Sequence, residues 1–353
     1  MNSSRLIDWR LIVPCLVIMA LSLSILFSIS PNLAWTQLSF ILLGTGLFVI
    51  FSRFNYQHHL PLAKIYTFAS LLLLILPIIF GVVTRGSVRW IQFGPLTLQP
   101  SEIIKPFLII IFSSLLSKKL NLLAYFIALL IPSFLIFKQP DLGSTLVVLA
   151  IWFGIWFVSK LPLIALFISS LSITFLSPIV YKILKPYQQQ RVLSFLNPYA
   201  DPKGSGYQVI QSTIAVGSGK LFGQGLGQGT QSQLNFLPER QTDFIFATLA
   251  EELGFIGTLV LLVAIYFLLT HLLNIAKKAP DKFGQMIVIG VFSMIFFQVF
   301  VNIGMNLGLL PITGITLPLV SAGGSSMLAT MIALGIVHNI SLKTANNQSL
   351  EIK

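Results

Sequence analysis

Long, unbroken runs of apolar residues decide what this chain can become. About ten of them have the length that crosses a lipid bilayer, covering approximately 11–29, 36–52, 63–83, 101–117, 121–137, 143–159, 161–181, 244–270, 284–305 and 317–340. Inside a bilayer every backbone N–H and C=O needs an internal partner, so such runs are expected to be helices. The alternating short strands of a β-barrel are not visible in the sequence. Only 9% of residues are charged, against about 25% in soluble domains. The expected fold is an all-α polytopic membrane protein of about ten transmembrane helices. It forms one integral domain over residues 1–353, with one large extracytoplasmic loop at about 182–243.

Two classes of site are disfavoured at once. Cys15 is the only cysteine, so a disulfide framework or cysteine metal site within one chain is excluded. His58, His59, His271 and His338 show no ligand spacing. At the start of the chain, Arg5, Asp8 and Arg10 precede an apolar run that ends without a small-x-small cleavage pattern before Pro31, which predicts a retained first span.

Short loops give the orientation. With the N-terminus inside, Arg5, Arg10, Arg53, Lys64, Lys118, Lys119, Lys160, Lys277, Lys278, Lys282, Lys343 and Lys353 are cytoplasmic, whereas the short outer connections hold only Arg85, Arg89 and Lys138. Both termini are then cytoplasmic and the long loop faces outward. Acids run the other way. Glu102, Asp141, Asp201, Glu239, Asp243, Glu251 and Glu252 fall outside or in the outer half of the membrane. Ionisable groups in apolar helical text are costly and usually functional.

Four segments carry the polar chemistry. In the first, Arg85 to Pro106, Ser101 can cap a helix whose first turn holds Glu102. Glu102 and Lys105, three apart, share a helical face and can pair. Trp90 suits a membrane interface, so the segment reads as an aromatic belt with one structural ion pair, or as a groove whose arginines meet an anionic headgroup. In the second, Lys138 to Thr145, Pro140 and Gly143 predict a tight outer hairpin; Asp141 either caps the following helix or lines the same cavity.

The third segment is the long loop. Its glycines (Gly217, Gly219, Gly223, Gly225, Gly227, Gly229) match no Walker or dinucleotide spacing, and read as a phosphate cradle or a flexible lid. Its bases Lys182, Lys185, Arg191, Lys203, Lys220 and Arg240 favour an acidic, phosphate-bearing partner; nucleic acid is not expected on this face. Short surface helices are expected over about half of this loop. The fourth segment runs from Pro238 to Gly254. Thr242 or Asp243 is expected to start a helix. Asp243 reads either as its N-cap or as a base at the mouth of a low-dielectric site, where a raised pKa would help it accept a proton. Glu251 and Glu252, eight and nine residues on, read as buried pairing or as part of the same chemistry.

These words together resemble the SEDS family (shape, elongation, division and sporulation), and most closely its RodA branch. The likeness rests on Val88-Arg89-Trp90-Ile91 through Gln99-Pro100-Ser101-Glu102, Gln139-Pro140-Asp141-Leu142-Gly143-Ser144 and Gly204-Ser205-Gly206-Tyr207-Gln208. It continues through Gly229-Thr230-Gln231-Ser232-Gln233 to Arg240, Thr242 to Ala247, and Ser321 to Ser326. The sister FtsW type usually has Glu where this chain has Gln139 and lacks the Gly-Thr-Gln-Ser-Gln word. Gln241 stands where relatives often carry His.

The resemblance implies a peptidoglycan glycosyltransferase in the bacterial inner membrane, polymerising lipid II for cell elongation and rod shape. Its site would be extracytoplasmic, and its partners a class B penicillin-binding transpeptidase and other elongation-complex membrane proteins. Asp243 matches the family's candidate base. Trp90, Glu102, Lys105 and Asp141 match functional or cavity-lining positions. The implied step is attack of an acceptor lipid II GlcNAc 4-hydroxyl on the anomeric carbon of a glycan held on undecaprenyl pyrophosphate, inverting to a β-1,4 link. Arg85, Arg89, Lys105 and Arg240 are the expected pyrophosphate contacts, with Lys203, Gln208, Glu239 and Thr242 as further substrate-binding candidates. A divalent cation, magnesium or manganese, is compatible with this chemistry; its ligands are not assigned, and no organic cofactor is expected. A lipid II flippase or a scaffold for the partner synthase remain alternatives.

Overall fold

The computed structural model describes residues 7–84, 87–93, 96–117, 122–159, 182 and 185–351. Its helices are α1 (Trp9–Ile29), α2 (Pro31–Arg53), α3 (His59–Phe80), α4 (Pro100–Ile103), α5 (Lys105–Ser117), α6 (Leu122–Lys138) and α7 (Leu142–Val158). They continue as α8 (Pro186–Leu196), α9 (Tyr207–Ser218), α10 (Thr230–Gln233), α11 (Ile245–Lys278), α12 (Lys282–Asn306) and α13 (Gly324–Glu351). Among the described residues, seven helical spans are long and apolar enough to cross a membrane, and α6 and α7 are shorter apolar helices beside them. The span expected at 161–181 lies outside the described residues, as do Arg85, Lys118, Lys119, Lys160 and Lys353.

Helix α12 is the hub. It packs on α5, α7 and α11, while α11 packs on α1, and α13 on α2. The long helices alternate in direction, so the chain has two ends. One gathers the 81–99 connection, Lys138–Leu142, the start of α11 and the segment between α12 and α13. The other gathers Asp8, the Arg53–His59 turn and the α11–α12 connection. Burial of Phe112, Tyr125, Trp152 and Trp156 fills the space between α5, α6 and α7. Tyr125 and Trp152 stack at 4.9 Å, and the Tyr125 hydroxyl and Trp152 indole each bond the other's backbone carbonyl, which satisfies both polar tips inside an apolar core.

Three features go beyond the apolar runs read in the sequence. First, the connection after α3 carries strands. It forms a three-stranded antiparallel sheet, β1 (Val82–Thr84), β2 (Ser87–Phe93) and β3 (Leu96–Leu98), with Ile91 opposite Leu98. The run is rich in β-branched and aromatic residues and too short to span, so it pairs with itself. Second, residues 317–323 are not helical. Pro311, Gly314, Pro318 and Gly323 hold the whole 311–323 stretch as irregular backbone, with Gly314 at φ +72° and Leu319 at φ +64°. Third, α11 is longer than its apolar text, running to Lys278.

Helix α11 also breaks at Gly254, whose φ of 67° and ψ of −163° lie in a region nearly exclusive to glycine. The glycine-rich loop fills that break. Phe255 N–H donates to Lys220 C=O (2.8 Å) and Ile256 N–H to Leu221 C=O (3.1 Å), while Gln224 and Gly225 N–H donate to the Glu251 and Glu252 carbonyls (2.9 and 3.1 Å). The amides of Gln224 and Gly225 are therefore used inside the chain. Neither a lid nor a phosphate cradle is what this part of the run builds.

Candidate functional site

The site grows from the end of the bundle that holds Lys138–Leu142 and the start of α11. Asp141 caps α7: its carboxylate accepts from Ser144 N–H (3.0 Å), from the Gln99 amide (2.8 Å) and from the Ser101 hydroxyl (2.9 Å). The Arg89 guanidinium of β2 lies 3.6 Å away. Burial alone would raise the Asp141 pKa; Arg89, the Ser144 contacts and Lys105 outweigh it and hold the acid below its usual range. Asp141 thus both caps a helix and anchors a cation that faces the cavities. Ser101 is not a cap; Gln99 holds that position with Pro100 behind it, and the Ser101 hydroxyl serves Asp141.

Below this, Glu102 pairs with Lys105 across the predicted spacing, with the Ser144 hydroxyl 3.4 Å from the Glu102 carboxylate. Both charges are buried, and each would be costly without the other. Gln99 N–H donates to the Ser325 hydroxyl (2.9 Å), tying the end of the sheet to the start of α13.

Asp243 lies just ahead of α11. It is not the N-cap: Phe244 holds that position, with no side-chain cap bond. What fixes Asp243 is its backbone. Its carbonyl accepts from the side-chain amides of Asn302 and Asn306, each at 3.0 Å, and Asn306 in turn accepts from Ala247 N–H (3.0 Å). These asparagines stand one turn apart on α12, fully buried. Asn302 also donates to Ile315 C=O (2.7 Å), so one side chain clamps both the α11 start and the irregular segment. Ser321 donates to Thr242 C=O (2.6 Å) and Ala322 N–H to Gln241 C=O (2.9 Å), completing a rigid seat. Glu239, at φ +55°, closes the turn through its carbonyl and its carboxylate, which accepts from the Thr242 hydroxyl (3.0 Å).

Two cavities meet at this seat. One, about 310 Å³, is bordered by Trp90, Gln99, Glu102, Thr242 and Ser325. The other, about 550 Å³, is bordered by Tyr187, Arg191, Gln208 and Glu239. Arg89, Asp243 and Gly314 border both. Gly314 leaves room where a Cβ would stand 3.4 Å from an Asp243 carboxylate oxygen and 3.9 Å from the Arg191 guanidinium.

Arg191 was counted in the sequence only as one loop base among several. Helix α8 turns it inward, where it donates to Ile312 C=O (3.3 Å) and lies over the Tyr187 ring at 5.8 Å. Burial lowers its pKa, and the charge of Asp243 works against that drop. The Trp90 indole N–H and the Arg89 Nε are buried without a hydrogen-bond partner among the described residues. A cavity edge with unspent donors is suited to an oxygen-rich ligand.

Other predicted residues fall elsewhere. Lys203 is exposed in a turn built on Asp201, and borders neither cavity. Arg240 borders neither; burial lowers its pKa, against the opposing charge of Glu252. Lys105 is sealed beneath Glu102. Glu251 and Glu252 face the loop. Glu251 accepts from Gln231 and Ser232 N–H (2.8 and 2.9 Å), the first turn of α10, and Glu252 from the Ser28 hydroxyl and the Gln233 amide. They pin the Gly-Thr-Gln-Ser-Gln word to the bundle. Among the described residues, no three His, Cys, Asp or Glu side chains converge on a metal position.

The sequence profile of the FtsW/RodA/SpoVE cell cycle proteins matches residues 4–346. Peptidoglycan glycosyltransferase MrdB of Escherichia coli (strain K12) is 41% identical over 268 residues, 74% of this chain and 72% of that protein. Stage V sporulation protein E of Bacillus subtilis (strain 168) is 38% identical over 359 residues, 95% of this chain and 96% of that one. Among solved structures, a chain from a peptidoglycan synthase complex that coordinates polymerization and crosslinking superposes with a TM-score of 0.82 at 36% identity, covering 96% of this chain and 99% of its own. The crystal structure of Thermus thermophilus rod shape determining protein RodA gives 0.72 at 29% identity, covering 96% and 97%.

Proposed function

The chain belongs to the FtsW/RodA/SpoVE family of polytopic membrane proteins, and from that premise we propose that it is a peptidoglycan glycosyltransferase that joins lipid II into glycan strands for cell elongation and rod shape. The observation that carries the mechanism is the position of Asp243. An aspartate with a clamped backbone stands where two cavities meet, with Arg89 bordering both and Arg191 bordering the larger one.

Two substrates need two spaces and one shared reacting point. The acceptor GlcNAc 4-hydroxyl approaches Asp243, which takes its proton as the oxygen attacks the donor anomeric carbon. The new C–O bond is β-1,4. The bond from that carbon to the pyrophosphate oxygen breaks, and its electron pair leaves with undecaprenyl pyrophosphate. Arg89 and Arg191 face the growing charge on the leaving group. Guanidinium forks suit phosphate oxygens, and donors fixed before the reaction need no reorganisation during it. Asn302 and Asn306 hold the base in place by donating to its backbone carbonyl.

The partner in this reading is a class B penicillin-binding transpeptidase, the membrane is the bacterial inner membrane, and the cavities face outward with both termini cytoplasmic. Labelled lipid II given to the purified chain with its partner should be converted to glycan strands. Lipid II moved across vesicles but left unpolymerised, under conditions where a control synthase works, would overturn the reading in favour of a transporter.

A further inference from the structure

Two further cavities lie at the other end of the bundle, away from Asp243. One, about 740 Å³, has the polar side chains of Asp8, Arg10, His271, Lys278 and Ser341 on its border beside Ile7, Ile275 and Leu342. The second, about 1000 Å³, is a groove between α1 and α11 bordered by apolar side chains such as Val13, Val17, Leu259, Val263 and Phe267. Trp9, Arg10, His271 and Asn274 border both, so the first chamber opens directly onto the apolar groove.

The charges of the chamber are uneven. Asp8 is spent: its carboxylate accepts from the Arg10 N–H, the His271 ring and the Ser341 hydroxyl, and its backbone N–H donates to the His338 ring. Arg10 and Lys278 are exposed, and among the described residues neither has a carboxylate partner. A chamber with two unpaired cations, continuous with an apolar groove on the lipid-facing side of two spanning helices, has the division of a phospholipid: a phosphate head and an acyl chain. Basic pockets between helices near the membrane surface take anionic headgroups. A helix from another protein would cover the groove but leave the chamber and its cations unfilled.

We infer that this is a binding site for one anionic phospholipid of the leaflet opposite the catalytic cavities, its phosphate between Arg10 and Lys278, and an acyl chain along Val13, Val17, Val263 and Phe267. Trp9 stands at the junction, where an amphipathic ring suits the level of the headgroups. The site is independent of the glycosyltransferase reading, since it shares no residue with the cavities at Asp243.

The test uses the full chain in membranes of phosphatidylcholine with phosphatidylglycerol. A benzoyl-phenylalanine at Val263 is photolysed and its adduct weighed, and phosphatidylglycerol retained through purification is counted by native mass spectrometry. The expected results are a phospholipid adduct and about a tenfold or greater loss of retained phosphatidylglycerol in the Arg10→Glu/Lys278→Glu double variant. Arg53→Glu makes a charge reversal at the same membrane end outside the groove and should retain the lipid. Equal loss in Arg53→Glu would reduce the effect to general surface charge and overturn the site. A protein adduct at Val263, or a double variant that melts like wild type and keeps its lipid, would overturn it as well.

Discussion

Replacing Gly254 with alanine should unseat the glycine-rich loop. An added Cβ would stand 2.2 Å from Gly223 N and 2.7 Å from both Leu221 O and Phe222 C, all of them backbone atoms that cannot swing aside. The backbone angles are themselves nearly closed to any residue but glycine, a strain of roughly 1–3 kcal/mol. Relief requires the loop to move, which breaks the bonds from Phe255 N–H to Lys220 C=O and from Ile256 N–H to Leu221 C=O. Each contributes about 0.5–1.5 kcal/mol net. Together the change costs about 2–6 kcal/mol. At about 2 °C per kcal/mol for a chain of this size, the melting temperature in detergent should fall by at least about 4 °C. Gly217→Ala is the matched control: it lies in α9 with nothing within 4 Å of its new Cβ, and should melt at or above wild type. A Gly254→Ala protein as stable as Gly217→Ala would refute the account of the break in α11.

The same docking predicts that Glu251→Ala, which strips the acceptor from Gln231 and Ser232 N–H, loses about 1–3 kcal/mol for each orphaned donor; limited proteolysis should then cut within 219–234 where wild type resists. At the opposite end, hydrogen bonds and charge from His271 and a hydrogen bond from Ser341 overcome burial and hold Asp8 at about 2, below its ordinary 3.8. Its folded pKa is depressed, so its stabilisation is present above pH 3.8 and fades as pH falls toward 2; the stability gap between wild type and Asp8→Asn should close as pH falls through that window. Arg191→Ala should fold and bind its partner yet lose roughly a hundredfold or more in kcat, as loss of one preorganised donor does elsewhere, with Arg191→Lys losing less. Activity within threefold of wild type would remove Arg191 from the leaving-group side.

Much of the site was readable before any coordinates. Asp243 stood out because an acid at the mouth of an apolar helix is costly, and Glu102 with Lys105 because their spacing places them on one face. Charge alone did not say which way a side chain turns. Arg191, Lys203 and Arg240 read alike as loop bases, and only Arg191 borders a cavity beside Asp243. Asn302 and Asn306 were legible in principle, as two amides one turn apart in apolar text, but carry no charge to draw attention. The sheet at 82–98 was lost among the spans because its strands are short. The Asp8 cluster assembles His271 and His338, which lie far apart in sequence, so ligand-style spacing could not reveal it.

The most direct measurement is polymerisation of labelled lipid II by the chain and its transpeptidase partner, wild type beside Asp243→Asn. Asparagine keeps the size of the side chain and leaves the backbone clamp of Asn302 and Asn306 in place, removing the proton acceptor and its charge. The account predicts long glycan strands from wild type and none from a variant that still inserts, melts normally and binds its partner. Strands of wild-type length and yield from Asp243→Asn would contradict it.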